Sequence, residues 1–366
     1  MSNVEKPKVL VVDLGSGWIK AGFAGDDAPA AVVPNVIGKP KSGAAGDGYV
    51  GAEAVAKGDT VTLHYPVQHG VVTDWAALER VLAHTFREEL RVKPSEHSVL
   101  LAHVPGADRG QLEKLLGLLF DRFEVRAAKL VPTGLLALRA SGRTTGLVVD
   151  IGDDVTSVSP VYEGKVIEKA VFRSDLVTGR SVTHVMRKRL AVEGYTMTSS
   201  APDEVVRDLK EQISYAAKDF DEESQLPVDE VSAFYTLPDG NTINVGNARY
   251  EAAETLFKPS EYLGLESQAD GLHELIKRAV DHSDLDLRTT LCSATVLAGG
   301  SSLLDGLEVR LSLELGRLLA NSRVQVLAPE DRKHSAWRGG SALGNESTTS
   351  WINRSAYDEK GAAVLA

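Results

Sequence analysis

An apolar run from Val9 to Val12 ends at Asp13-Leu14-Gly15-Ser16-Gly17, and a second, alternating run follows from Trp18 to Phe23. The pattern predicts a strand, a tight glycine turn and a returning strand. The second run is too short and too interrupted by glycine for a helix. That weakens the P-loop and the dinucleotide-binding readings, each of which needs a helix directly after its glycines. The spacing fails as well: Gly15, Gly17 and Gly22 do not make G-x-G-x-x-G, and no G-K-[ST] follows. The same grammar returns at Leu147 to Val149, followed by Asp150-Ile151-Gly152-Asp153-Asp154 and a second run from Val155 to Tyr162. Asp13 and Asp150 thus hold equivalent places in two similar hairpins. A repeat this long points to a duplicated lobe, since solenoid periods are about 20–50 residues.

Between the hairpins, Leu78, Val81, Leu82, Phe86 and Leu90, and then Leu112, Leu115, Leu116, Leu119 and Phe123, have the spacing of a buried helical stripe. Ser98 to Val104 reads as a strand before the second of these helices. Alternating strands and helices place the chain in the α/β class. Val296-Leu297-Ala298-Gly299-Gly300-Ser301-Ser302-Leu303 reads as a strand, a Gly-Gly turn and a serine-capped helix start, and helix N-termini bind anions. The stretch Ser42 to Gly48 has almost no side-chain surface to bury and reads as a mobile loop.

With 366 residues, 43% apolar and 25% charged, the chain is long enough for two or three domains whose cores need no disulfide or metal. Its single cysteine, Cys292, lies in an apolar stretch and reads as a small buried hydrophobe. No apolar run reaches the ~18 residues of a membrane span, and the first residues lack the apolar segment of a signal peptide, so the expected location is cytoplasmic. A net charge of −11 repels nucleic acid and anionic membrane. Any phosphate ligand must therefore be held locally, by backbone amides, one or two placed cations and a bound metal. The nine histidines show no H-E-x-x-H, and Gly340-Ser341-Ala342-Leu343-Gly344 misses the G-x-S-x-G elbow, so zinc and serine hydrolysis are unsupported.

At the hairpins the chain resembles actin. The likeness runs through Asp13-Leu14-Gly15-Ser16-Gly17, Lys20-Ala21-Gly22-Phe23-Ala24-Gly25-Asp26-Asp27, Tyr65-Pro66-Val67-Gln68-His69-Gly70 and Ala140-Ser141-Gly142-Arg143-Thr144-Thr145-Gly146. It continues at Tyr162-Glu163-Gly164, Leu237-Pro238-Asp239-Gly240, Ala298-Gly299-Gly300 and Arg332-Lys333, so it is colinear over nearly the whole chain. The sequence is similar to actins and actin-related proteins, bacterial ones included.

The resemblance implies two duplicated α/β lobes with ATP and a divalent cation in the cleft between the hairpins. It implies a first lobe core of residues 1–34, 66–140 and 335–366 with a small outer subdomain at 35–65. The second lobe core is then 141–177 and 266–334, with its outer subdomain at 178–265. By resemblance, the turn amides of Gly15, Ser16 and Gly17 and those of Gly152, Asp153, Asp154 and Val155 grip the phosphates, with Lys20 and the Ser16 hydroxyl adding contacts. Asp13 and Asp150 would hold Mg²⁺, or Ca²⁺ in its place, largely through water. Gly179, Lys210, Glu211, Gly299, Gly300, Ser301, Leu304 and Lys333 would line the nucleoside end. Lys210 and Glu211 lie beside the apolar stripe Val206, Leu209, Ile213 and Ala216, so both are expected to face solvent-lined space. Leu304 stands where the family has an aromatic against adenine; ATP is still expected over GTP.

Several departures bear on catalysis and assembly. Thr133 and Ser157 stand where the family orients the attacking water with a Gln and a His, and a hydroxyl is a shorter, nearly non-basic substitute. A positioned proton-transfer group is worth about 10²–10⁴ in rate, so hydrolysis of ATP to ADP and phosphate is expected to be weak. Asp154 replaces a hairpin glycine; beside a γ-phosphate it would repel, unless metal or solvent intervenes, or it would itself orient the water. With Asp150 these complete the expected catalytic set. The long apolar loop that the family inserts into the next subunit is the short Ser42 to Gly48 stretch here, Arg139 replaces an aromatic of the receiving socket, and Tyr262-Leu263-Gly264-Leu265 keeps the apolar character of a filament plug. The reading that follows is an actin-like cytoskeletal protein that polymerises head to tail with copies of itself, is met by regulators of the actin-binding type, and engages neither nucleic acid nor the membrane interior. The alternative is a non-polymerising ATP-binding scaffold subunit of a larger complex. A sugar or acetate kinase on the same fold would need a second-substrate pocket with a base, to which nothing near Asp154 or Thr133 points.

Overall fold

A computed structural model describes residues 8–41, 48–196, 202–320 and 322–365, with 59 and 202 through their backbone alone. All of the expected loop at 42–48 except Gly48 lies outside the described residues. The chain divides into two compact units, Met1–Thr144 with His334–Ala366, and Thr145–Lys333.

The first unit is built on a six-stranded sheet in the order Ile352–Asn353, Ala127–Pro132, Ser98–His103, Leu10–Leu14, Trp18–Phe23, Ala31–Pro34. Successive side chains of a strand point to opposite faces. Here Leu10 and Val12 face a core shared with Leu78, Leu82, Phe86, Leu116 and Leu119, whereas Val11 faces the opposite core with Leu100, Leu136 and Trp337. Both faces are covered, and for that reason Leu10 to Val12 carry no polar residue. The helices Trp75–His84 and Arg109–Gly117, each continued by a wider π-helical turn at Thr85–Glu89 and Leu118–Arg122, carry most of the two stripes read from the sequence, and each starts at an aspartate, Asp74 or Asp108, that accepts a hydrogen bond from a first-turn amide. On the other face the helices Thr133–Ala140 and Ser335–Gly344 cross closely. Trp337 is fully buried there and its Nε1 donates to the Val11 carbonyl at 3.1 Å.

The second unit repeats the plan. Its sheet runs Lys165–Val166, Thr156–Tyr162, Gly146–Ile151, Thr295–Ala298, Val326–Leu327, with Phe172–Ser174 also paired to Thr156–Tyr162. Leu147, Val149 and Ile151 pack with Val182, Val185, Met186 and Leu190 of the helix Gly179–Val192 and with Leu275, Ile276 and Ala279 of the helix Leu272–His282. Cys292 is buried in this core, and burial pushes its thiol up. Among the described residues no helix is long and apolar enough to cross a membrane.

The structure corrects three local expectations. After Thr295–Ala298 the chain makes a four-residue 3₁₀ turn, Gly300–Leu303, and the α-helix begins only at Leu307. The hydroxyls of Ser301 and Ser302 donate to the carbonyls of Gly152 and Gly299, so neither caps a helix. Lys210 is buried rather than solvated, although its neighbour Glu211 is exposed. Tyr262 and Leu263 pack partly against their own unit's core, which leaves less of the expected plug free.

The close helix crossing makes a sharp test of this fold. A Cβ on Gly339 would sit 1.9 Å from the Leu136 carbonyl oxygen, a backbone atom that cannot rotate away. Gly339→Ala is expected to destabilise the protein by about 3 kcal/mol, read as a lowered urea midpoint at unchanged slope. Burial also holds the His103 imidazole below its ordinary 6.5, partly offset by the Val104 carbonyl, which accepts from its Nδ1. The unfolded chain therefore takes up a proton that the folded one resists. Stability should fall as pH drops below about 6.5, and His103→Gln should make the fall shallower. His184 and His273 shift the same way and add to the fall.

Candidate phosphate-binding turns

In each unit a carboxylate stands one residue short of the carboxyl end of a central strand. Asp13 pairs in register with Lys20 on the returning strand and with Ala102 on the parallel neighbour. Asp150 pairs with Ser157 on its returning strand and with Ala298 on its parallel neighbour. The turns that follow close in the same way: the Gly15 amide donates to the Trp18 carbonyl at 3.1 Å and the Gly152 amide donates to the Val155 carbonyl at 3.0 Å. A Cβ on either glycine would lie 2.7 Å from that carbonyl oxygen. Both turns are therefore too tight for any other residue at their first position. Ligands of open α/β sheets gather outside the carboxyl ends of the strands, where both turns stand.

In the first unit, Asp13 is 4% exposed and its Oδ2 accepts from Lys20 Nζ at 2.8 Å. The Ser16 hydroxyl accepts from the Gly70 amide at 3.2 Å, which leaves its own proton for another acceptor. The turn is pinned from below by Asn35, wholly buried, whose Nδ2 donates to the Gly15 carbonyl and whose amide donates to the Gly17 carbonyl, both at 2.9 Å. Asn35 was not singled out from the sequence. The signal for it is a lone amide side chain inside the apolar run Val32-Val33-Pro34-Asn35-Val36-Ile37. Thr133 is 8% exposed and opens the helix Thr133–Ala140 directly after the strand that ends at Pro132.

In the second unit the structure gathers most of the expected residues around one turn. The Gly152 carbonyl accepts from the Gly179 amide at 3.0 Å and from the Ser301 hydroxyl at 2.9 Å. Lys210 Nζ donates to the Gly179 carbonyl at 3.0 Å. Burial holds that ammonium below the usual lysine range, with Asp153 and Glu211 pulling the other way. Gly299, at φ 85°, lets the chain pass where a Cβ would stand 2.5 Å from Asp150 Oδ1. Lys333 lies beside Gly300, its Cγ 3.8 Å from where a Cβ would stand. Ser157 is 3% exposed and faces the same side as Asp150. Two expected residues lie apart from this group: Glu211 is exposed, and Leu304 packs partly against the core.

Asp154, expected to confront a phosphate, is buried and paired with Arg180, whose Nη1 lies 3.1 Å from Asp154 Oδ1 while Nη2 lies 2.9 Å from Asp153 Oδ2. Arg180 also escaped the sequence reading. An arginine after Thr178-Gly179 looks like an ordinary solvent-facing residue at a helix start, and only the folded turn supplies its two partners.

Oxygen donors at the ends of buried strands, with backbone amides beside them, suit a hard divalent cation and a polyphosphate rather than a soft metal. Among the described residues no cluster of three or more His, Cys, Asp or Glu could hold a metal by itself. A comparison with protein families returns a match to the family model described as Actin over residues 4–366. The two glycine-closed turns and this end-to-end match agree, and the chain belongs to the actin family, whose fold is α/β and whose members bind ATP.

Proposed function

We propose that this protein binds ATP with Mg²⁺ through one phosphate turn from each unit, assembles head to tail into filaments in the cytoplasm, and hydrolyses the nucleotide slowly. The observation that carries the reading is the equivalence of the two turns, with Asp13 and Asp150 in the same register and the same closing bond after each. In this reading the amides of Ser16 and Gly17 and those of Asp153 to Val155 take the phosphate oxygens. Lys20 supplies a cation, and the Asp13 and Asp150 carboxylates would hold the magnesium ion, largely through its water shell. The ion itself screens the phosphate charge. Gly179, Lys210, Ser301 and Lys333 form the nucleoside end, with Glu211 and Leu304 at its margin. Residues 35–65 and 178–265 act as the outer subdomains.

Thr133 and Ser157 are both buried hydroxyls, and neither takes a proton at neutral pH. They orient the attacking water by hydrogen bonding without removing its proton, so turnover is slow. In the assembly, Arg139 pairs with Glu346, which puts a charged pair where the family carries an aromatic socket. The longitudinal contact is accordingly more polar and more sensitive to salt. The inward packing of Tyr262 and Leu263 favours the second reading, a scaffold subunit that holds ATP without polymerising.

Light scattering and phosphate release, followed together over a concentration series with Mg²⁺ and ATP against ADP, separate the two. Scattering above a critical concentration, with phosphate release rising beside it, is the expected result; bound ATP without scattering favours the scaffold. Thr133→Gln should speed single-turnover phosphate release by about 10² if water orientation limits the rate. Lys210→Met should weaken ATP binding while leaving the unfolding midpoint level or higher, because a buried ammonium is costly to the fold.

A further inference from the structure

After their first glycine the two turns differ in both following residues and in what holds them. The first reads Gly15-Ser16-Gly17 and is held by the neutral Asn35; the second reads Gly152-Asp153-Asp154 and is held by a charged group. That group begins the helix Gly179–Val192, where the Thr178 hydroxyl accepts from the Ser181 amide. The Gly179 amide donates to the Gly152 carbonyl at 3.0 Å, and the Arg180 amide donates to the Asp153 carbonyl at 2.6 Å. The Arg180 guanidinium then spans both carboxylates of the turn. The Asp154 side chain is 3% exposed and that of Arg180 is 40% exposed. A buried carboxylate persists in a fold only when it is paired, and a planar guanidinium can serve two carboxylates at once, which a lysine cannot do as well.

We propose that Asp154 is a positioning residue for the nucleotide: through Arg180 it anchors the second phosphate turn to the start of the helix Gly179–Val192, and its charge is directed to the guanidinium instead of to the phosphates. This rests on the ATP reading above. Turn amides bind phosphate well only when they are fixed before the ligand arrives. Asn35 fixes those of the first turn from beneath; Asp153, Asp154 and Arg180 fix those of the second from the side. A glycine in place of Asp154 would remove the buried half of this clamp and leave the Asp153 carboxylate and the backbone bonds to tether the turn to the helix.

The sign of the effect on ATP affinity tests the proposal. A carboxylate that confronts the phosphates repels them, so removing its charge tightens binding; a carboxylate that positions the turn loosens binding when it is removed. Titration of a fluorescent ATP analogue with Mg²⁺ into Asp154→Asn should show affinity reduced about tenfold, the usual scale for an outer-shell partner. Asp154→Gly restores the residue type of the first turn and gives a second variant should the asparagine not fold; it should weaken binding as well. Arg180→Lys should weaken binding by a similar factor, and the double variant Asp154→Asn with Arg180→Lys should lose no more than either single change. A merely structural contribution would lower the urea midpoint without this non-additivity in ATP affinity. Equal or tighter binding by the Asp154 variants, or additive losses, overturns the positioning role. Absence of ATP binding by the unmodified protein overturns the nucleotide reading itself.

Discussion

A turn tight enough to require glycine, placed directly after a buried strand that carries a carboxylate, is the constraint on which the rest of this structure depends. The glycine brings its amide onto a carbonyl three residues ahead, 3.1 Å away in one unit and 3.0 Å in the other, and the strand then reverses. Everything around the turn serves to keep it in place. The parallel strands Ser98–His103 and Thr295–Ala298 fix the height of Asp13 and Asp150 through their alanines. Helices on both faces of the first sheet leave those strands no freedom to slide, since a one-residue slip would exchange the two cores. The backbone carbonyls of the turns are occupied from behind, by Asn35 in the first unit and by Gly179 and Ser301 in the second. Rigid turns of this kind let an acidic protein hold a polyanion, because fixed dipoles substitute for a basic surface.

Charge is used in two different ways within the second unit. Arg310 and Glu254 are both almost wholly buried and meet at 2.7 Å; Arg310 also donates to the Ala217 carbonyl at 3.0 Å and to Glu314 at 2.8 Å, and it lies over the Phe257 ring. That set is satisfied by itself and has no need of a ligand. Around Gly152 to Val155 the charged groups serve the turn instead: Lys210 donates to the Gly179 carbonyl, and Arg180 is half-buried while Asp154 is buried. The contrast separates a network that holds the core from one that shapes a binding surface.

Legibility from sequence followed the range of the interaction. Both hairpins and both stripes, Leu78 to Leu90 and Leu112 to Phe123, are set by periodicity within a few turns of chain, and the structure has them where the pattern puts them. Asn35 and Arg180 depend on partners brought in by folding; the apolar run around Asn35 marks it as unusual without naming its partners, and nothing adjacent to Arg180 gives it away. Ser301 and Ser302 were read as a helix cap because a 3₁₀ turn and a helix start share the same small hydroxyl residues; the hydroxyls' partners, Gly152 and Gly299, decide between them. Lys210 sits at the edge of an apolar stripe where a helical wheel places it toward solvent, and the approach of Gly179 encloses it.

The first unit is assembled from two ends of the chain, and the second is inserted between them. Its sheet takes its edge strand from Ile352–Asn353, and Trp337 bonds the Val11 carbonyl across nearly the full length of the sequence. Residues Thr145–Lys333 emerge as a continuous stretch during synthesis and can complete their own core at once, whereas the sheet begun at Leu10 waits for the helix Ser335–Gly344 and the strand Ile352–Asn353. Until then Val11, Leu100 and Leu136 lack the cover of Ala336 and Trp337. The helix Ser335–Gly344 is therefore a folding checkpoint for the sheet begun at Leu10, and at about 5–20 residues per second the interval before it is made spans many seconds, long enough for chaperones to matter.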